Sequence, residues 1–111
     1  MWFLISPAEL EQYLDENRDM VLIDLRDRDS YRAEHVRGAV NIPFEELDQR
    51  LHELPKDSLI VLYCYRGPHS MLAARALSRE GYAAADVCGG YANYRGKYRT
   101  SQFTPLSGCE L

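Results

Sequence analysis

The run Leu59-Ile60-Val61-Leu62-Tyr63 sets five apolar side chains in succession, with no polar residue between them. Side chains alternate between the two faces of a strand, so a strand with this sequence must be covered on both faces. Val21-Leu22-Ile23 repeats the pattern. Strands of this kind belong to parallel sheets sandwiched by helices, and the segments between them supply such helices. Ser6-Pro7-Ala8-Glu9 has the form of a helix start, with Ser6 as cap, Pro7 at the first helical position and Glu9 closing a capping box. Leu10 and Leu14 give that helix an apolar stripe. Phe44, Leu47, Leu51 and Leu54 predict a helix over residues 44–54. A further helix is predicted over 70–80, with Leu72, Ala73, Ala76 and Leu77 inward and Gly81 as its stop. Trp2 to Ile5, Gly38 to Ile42 (ended by Pro43) and Ala84 to Val87 complete the predicted strands, and Gly89-Gly90 opens a final turn. The charged stretch 27–38 is predicted to be a loop with a helical turn near Ser30 to Glu34. Strand and helix therefore alternate along the chain, which predicts an α/β fold with a mostly parallel sheet and helices on both faces. Residues 1–98 form one predicted domain. Residues 99–111, polar and holding Pro105 and Gly108, are expected to be a loosely attached tail.

The net charge of -4 argues against nucleic acid as a partner. No apolar run approaches the ~20 residues that span a bilayer. Met1 to Ile5 is apolar but has neither the basic flank nor the cleavage site of a signal peptide. The three cysteines, odd in number and scattered, form no disulfide framework and no Cys-x-x-Cys metal pair. They point to free thiols, and the chain is read as cytoplasmic, with neither nucleic acid nor membrane among its partners.

Cys64 directly follows the strongest strand, and Tyr65-Arg66-Gly67-Pro68-His69-Ser70 then leads into a helix. Ligands of open parallel sheets bind beyond the carboxyl ends of the strands. A strand-loop-helix unit there curls its N–H groups into a cup, and the helix N-terminus adds partial positive charge. A thiolate is favoured in such a place. Arg66 adds fixed charge, Gly67 takes dihedrals closed to other residues, and Pro68 stiffens the loop. Cys64 is the candidate nucleophile, and Tyr65, Arg66, Gly67, Pro68, His69 and Ser70 are the candidate substrate-binding residues.

Leu22 to Asp27, Tyr31 and His35 to Pro43 together resemble the opening signature of the rhodanese-like domain family. Cys64 to Ser70 resembles that family's active-site loop. Ala73 to Leu77, Gly81-Tyr82 and Gly89-Gly90-Tyr91 resemble its later segments, so the likeness covers roughly residues 2 to 98. The resemblance implies a five-stranded parallel sheet with the cysteine loop at its carboxyl edge. It also implies transfer of sulfane sulfur, through a Cys64 persulfide, from a small anionic donor such as thiosulfate to a thiophilic acceptor. That acceptor would be a thiol or a thioredoxin-like protein, and no metal or organic cofactor is required. Two positions depart from the family pattern. His69 stands where arginine is frequent and is a weaker anion hook, which argues against thiosulfate as the natural donor. Glu34 stands where glycine is frequent, before His35.

Other residues carry two readings. Arg26 ends a strand at the same sheet edge and is expected to pair with Asp24, Asp27 or another carboxylate rather than enter the pocket. Asp24 and His35 are expected to hold structure. His69 serves either substrate contact or loop packing. Cys88 is expected to be an inert thiol, the alternative being a resolving partner for Cys64, and Cys109 is expected to be idle. Arg95, Lys97 and Arg99, interleaved with Tyr91, Tyr94 and Tyr98, are expected to form a solvated basic face. Two functions compete with sulfur transfer. One is a binding or regulatory module that has lost catalysis. The other, a phosphatase or arsenate reductase on the same fold, needs an arginine where Ser70 stands.

Overall fold

The computed structural model describes residues 1–105. Strand β1 (Trp2–Ile5) leads into helix α1 (Pro7–Asp15), whose start carries the capping box: Ser6 Oγ accepts from Glu9 N–H, and the Glu9 carboxylate accepts from Ser6 N–H. Then follow β2 (Met20–Asp24), the short helix α2 (Arg28–Ala33), β3 (His35–Val36) and β4 (Val40–Asn41). Two turns of 3-10 helix (Phe44–Glu46 and Asp48–Glu53) lead to β5 (Leu59–Tyr63). Helix α3 (Pro68–Arg79), β6 (Ala83–Val87), a 3-10 turn (Tyr91–Asn93) and β7 (Arg99–Thr100) complete the described chain.

Five strands form one parallel sheet in the order β1-β6-β5-β2-β4. Its two faces carry separate apolar cores, as the unbroken apolar strands require. Ile23, Ile60 and Leu62 pack with Leu47, Leu54, Ala73 and Leu77 on the α3 side. Leu22, Val61 and Tyr63 pack with Leu10, Tyr31 and Tyr94 on the other. This is the α/β architecture anticipated above, with α1 and α3 on opposite faces.

Three expectations are corrected. Residues 44–54 do not form one α-helix. The spacings 44 to 47 and 51 to 54 are three residues each, the period at which 3-10 side chains eclipse, and the i to i+3 bonds of Leu47 to Phe44 and Leu54 to Leu51 follow it. Helix α3 begins earlier than residue 70, because Pro68 is suited to its first position. Its buried stripe is Ser70, Ala73, Ala74 and Leu77, so Leu72 and Ala76 face outward. The polar Ser70 belongs to the buried stripe because β6 offers it a partner, Asp86.

The start of the tail is bound, not loose. Arg99 and Thr100 pair antiparallel with Val36 and His35, and Thr104 N–H donates to the Tyr31 hydroxyl. His35 is fully buried between Tyr31 O at 2.6 Å and Gln102 O at 2.9 Å, the structural role anticipated for it. The basic cluster is exposed, as anticipated, and two of its side chains also make contacts within the fold. Lys97 pairs with Asp15, and the Arg99 guanidinium lies over the Tyr91 and Tyr94 rings.

Asp24, fully buried at the end of β2, ties these elements together. Its carboxylate accepts from Arg26 backbone N–H, from Arg26 Nε and NH2, and from the Tyr63 hydroxyl at 2.7 Å. Arg26 also donates to Glu34 O, and the Tyr63 hydroxyl accepts from Val36 N–H. Burial first, and then the Asp24 charge, push the Tyr63 phenol well above its ordinary range, so it stays a donor. Asp24→Ala would leave the buried Arg26 guanidinium without its partner. The expected loss is ~3–5 kcal/mol, the cost of breaking a buried pair on one side. Urea unfolding checks it against Arg32→Ala, whose partner Asp29 is exposed and whose loss should barely register.

Candidate active site

β5 ends at Tyr63, and Cys64 leaves the sheet at its carboxyl edge between the core and a cleft. The chain turns sharply at Gly67, whose φ of 116° suits glycine, and this brings Gly67 N–H back to Cys64 Sγ at 2.9 Å. The first intrahelical bond of α3 runs from Met71 N–H to Gly67 O, so the N–H groups of residues 69 and 70 have no partner within the helix. Of the N–H groups at the start of α3, that of Gly67 meets the sulfur, and the helix begins directly beyond it.

A cup of N–H groups works only if the loop's carbonyls are held elsewhere. The Gly89-Gly90 turn does this. Tyr91 N–H holds Cys64 O at 2.8 Å, and Ala92 N–H holds Tyr65 O at 2.9 Å. The approach is so close that a Cβ on Gly90 would stand 2.5 Å from Cys64 O.

The loop residues divide by position. Tyr65 is half-exposed, with the Arg66 guanidinium over its ring at 4.9 Å. His69 stacks on Phe44 with ring centroids 4.3 Å apart and planes nearly parallel. His69, Tyr65 and Cys64 line two neighbouring clefts. One, of about 280 Å³, is completed by Leu25, Arg26, Asp27, Ser30, Phe44 and Glu45. The other, of about 220 Å³, is completed by Arg66 and Pro68. His69 therefore takes part both in packing and in lining the space above the sulfur. The Arg26 guanidinium serves Asp24, as anticipated, but Arg26 also lines the cleft wall. A larger cleft, about 690 Å³ beside Arg28, Arg50 and Phe103, does not include Cys64.

Ser70 stands apart from the rest of the loop. It is fully buried beneath Cys64, its hydroxyl 3.6 Å from Sγ, 3.0 Å from Gly67 O and 2.5 Å from Asp86 Oδ1. Sequence reasoning passed over Asp86. The signal was there, because one carboxylate interrupts the otherwise apolar strand Ala83-Ala84-Ala85-Asp86-Val87. Phe44, read from the sequence as a helix residue, and Tyr91, read as part of a family-like segment and of the basic face, also belong to the surroundings of the loop. Cys88 is a free, partly exposed thiol after β6, its N–H bonded to Ile5 O. Cys109 lies outside the described residues. Among the described residues, no helix is long and apolar enough to cross a membrane, and no cluster of His, Cys, Asp and Glu could hold a metal ion.

The rhodanese-like domain family model matches residues 6–97. The candidate sulfur carrier protein YrkF of Bacillus subtilis is 30% identical over 94 residues, 84% of this chain but 51% of that protein. The thiosulfate sulfurtransferase GlpE of Coxiella burnetii is 30% identical over 89 residues, 79% of this chain and 83% of that protein. The chain thus spans about half the length of the Bacillus relative and most of the Coxiella one. Among solved structures, a rhodanese-like domain protein from Staphylococcus aureus superposes with a TM-score of 0.81 at 20% identity, over 92% of this chain and 98% of that one.

The clamp on the loop carbonyls makes two of the positive-φ glycines, Gly90 and Gly38, unequal. Gly90→Ala adds a methyl against backbone that cannot give way, whereas a Cβ at Gly38 meets nothing within 4 Å. Gly38→Ala is expected to cost only the left-handed backbone penalty of about 1–2 kcal/mol. Gly90→Ala should cost at least a further 1–3 kcal/mol from overpacking and should distort the Cys64 loop. Thermal unfolding and the rate of Cys64 alkylation in both variants check the difference.

Proposed function

The chain belongs to the rhodanese-like domain family, a family of sulfur transfer, and we propose that it moves sulfane sulfur from a small anionic donor to a thiophilic acceptor through a persulfide on Cys64. The observation that carries this reading is the Cys64 sulfur at a sheet's carboxyl edge, 2.9 Å from an inward-turned N–H of its own loop. That arrangement suits a sulfur atom that must be nucleophilic first and must bear a charged terminal sulfur afterwards.

The reaction has two steps. The Cys64 thiolate attacks the outer sulfur of the donor, forming one S–S bond as another breaks. With thiosulfate as donor, sulfite leaves with the bonding pair and Cys64–S–S⁻ remains. The loop N–H groups and the α3 terminus would hold that charge. An acceptor nucleophile then attacks the terminal sulfur and restores the thiolate. Cyanide, which becomes thiocyanate, serves in the test tube; a thiol or a thioredoxin-like protein would serve as the natural acceptor. Arg66 and His69, on the cleft rims, would meet the anionic part of the donor. Phosphoryl chemistry is disfavoured because Ser70 stands at the position where that chemistry needs an arginine, and its hydroxyl faces a carboxylate.

Cys64→Ser should abolish transfer while preserving the fold, since a hydroxyl of similar size is a poor sulfur nucleophile. Intact mass after incubation with thiosulfate should rise by one sulfur in the wild type and stay unchanged in the variant. Cyanolysis surviving in Cys64→Ser would move the nucleophile elsewhere, and its loss in Cys88→Ser would give Cys88 the resolving role.

His69→Arg tests the choice of donor. A guanidinium can keep the stack on Phe44 while adding fixed charge and paired donors. A charge-assisted hydrogen bond in an exposed loop is worth about 1–2 kcal/mol, so KM for thiosulfate should fall roughly five- to thirty-fold. An unchanged KM would assign residue 69 to packing alone.

A further inference from the structure

We propose that Asp86 is a proton-holding positioning residue for Cys64: the thiol proton passes through the Ser70 hydroxyl to the Asp86 carboxylate, so that the pair carries one negative charge at each stage of the reaction. The proposal rests on the reading of Cys64 as the nucleophile.

The geometry is a continuous chain. Cys64 Sγ lies 3.6 Å from Ser70 Oγ, and Ser70 Oγ lies 2.5 Å from Asp86 Oδ1. All three residues are buried, with Cys64 at 5%, Ser70 at 0% and Asp86 at 3% exposure. The same heavy atoms accommodate two proton arrangements. In one, Cys64 S–H donates to Ser70 Oγ, and Ser70 O–H donates to the Asp86 carboxylate. In the other, neutral Asp86 donates to Ser70 Oγ, and Ser70 O–H donates to the Cys64 thiolate. Moving between them shifts two protons along the chain and changes no net charge. No bond to sulfur other than S–H breaks, and no outside acid or base is used.

The surroundings favour a proton on Asp86 once the sulfur is charged. Among the described residues Asp86 has no cationic partner, and Ser70 is its one hydrogen-bond donor. Its neighbours across the sheet are apolar, Leu4 on β1 and Leu62 on β5. From the packed elements, the titratable groups near it are Cys64 after β5 and Cys88, just beyond the end of β6; α3 contributes the hydroxyl of Ser70. Burial pushes the Asp86 carboxyl up, and the Ser70 bond offsets part of that rise. A charged Asp86 beside a charged Cys64 would place two like charges on either side of one hydroxyl in an apolar layer, which such pairs avoid by sharing a proton. The persulfide, which also carries one negative charge near this hydroxyl, meets the same neutral Asp86 after transfer.

The test is the rate of Cys64 alkylation by iodoacetamide from about pH 4 to 10, spanning the ordinary carboxyl and thiol ranges, with modified peptides resolved by mass so that Cys88 and Cys109 are counted separately. Two groups that share a proton titrate in two macroscopic steps belonging to the pair. The wild-type rate should therefore rise in two steps, with a plateau between them. Asp86→Asn keeps a partner for Ser70 but takes no proton, so it should show a single step and lose the acidic limb. That loss is a fall of about tenfold or more, the effect of displacing one titration by a unit. A single step in the wild type, or two steps retained in Asp86→Asn, would overturn the proposal. If the variant does not fold, carboxyl-carbon NMR of the wild type decides: blocking Cys64 should move the Asp86 titration to one step at lower pH, and an unmoved titration would refute the relay. Alkylation needs no sulfur donor. A chain that fails to transfer sulfur therefore leaves this test intact, and a chain that transfers sulfur with a single-step profile would remove the relay alone.

Discussion

The buried carboxylate of Asp24 is the interaction on which the active edge of the sheet depends. It terminates β2, yet its partners come from three other places: the Arg26 side chain, the Tyr63 hydroxyl at the end of β5 and, through Arg26, the carbonyl of Glu34 ahead of β3. Tyr63 is the residue before Cys64, so the strand end that presents the sulfur is pinned to the neighbouring strand end. The Arg26 guanidinium also covers the Tyr91 ring at 4.2 Å, and Tyr91 is the residue whose N–H holds Cys64 O. One ion pair thus braces the cysteine loop from two directions. A buried pair is stabilising only when its polar atoms are nearly all satisfied, and the three Arg26 donors and the Tyr63 hydroxyl meet that condition here.

This bracing explains why a four-residue loop can expose N–H groups to an anion. An unrestrained loop would let its carbonyls rotate toward any open space, and a carbonyl facing the sulfur would oppose the charge it must bear. The Gly89-Gly90 turn takes the carbonyls of Cys64 and Tyr65 into its own hydrogen bonds. Both glycines have positive φ, and at Gly90 the space is also closed to any side chain. The polarity of the cup is therefore set by a turn far away in sequence.

Much of this could be read from the chain itself, and the parts that could not share a cause. Unbroken apolar strands such as Leu59 to Tyr63 force a sheet covered on both faces, so the architecture followed from local pattern. The capping box at Ser6 and Glu9 is equally local. Cys64 was legible because a strand end, a glycine and a helix start coincide around it. The misses arise where a distant partner decides. Leu72 faces outward on α3 because the helix is phased by Ser70, whose partner Asp86 lies on β6. The start of the tail is ordered because His35 and Tyr31 offer it bonds from a segment more than sixty residues away. Residues 44 to 54 carry helical spacing, but their hydrogen bonds follow the three-residue steps of the 3-10 form. For α3 and for residues 44 to 54 the amphipathic pattern was legible and only its phase or helix type was not; for α3 and the tail a partner distant in sequence decided the outcome.

The two buried carboxylates of this sheet edge differ in a way that bears on the chemistry between them. Asp24 is surrounded by donors, including a guanidinium, and its charge is matched within the fold; it sets position and contributes little net field. Asp86 has one hydroxyl, and that hydroxyl also reaches the sulfur. A cation beside Asp86 would hold the carboxylate charged and place a fixed negative charge behind Cys64, opposing both the thiolate and the persulfide. An apolar residue at 86 would leave the Ser70 hydroxyl with only Gly67 O and Cys64 as partners. A carboxyl without a cation avoids both outcomes, because it can take the proton whenever the sulfur must be charged. In the proposed reaction the negative charge on the Cys64 sulfur, as thiolate and then as persulfide, would be balanced from beneath by a neutral acid and from the loop side by the Gly67 N–H.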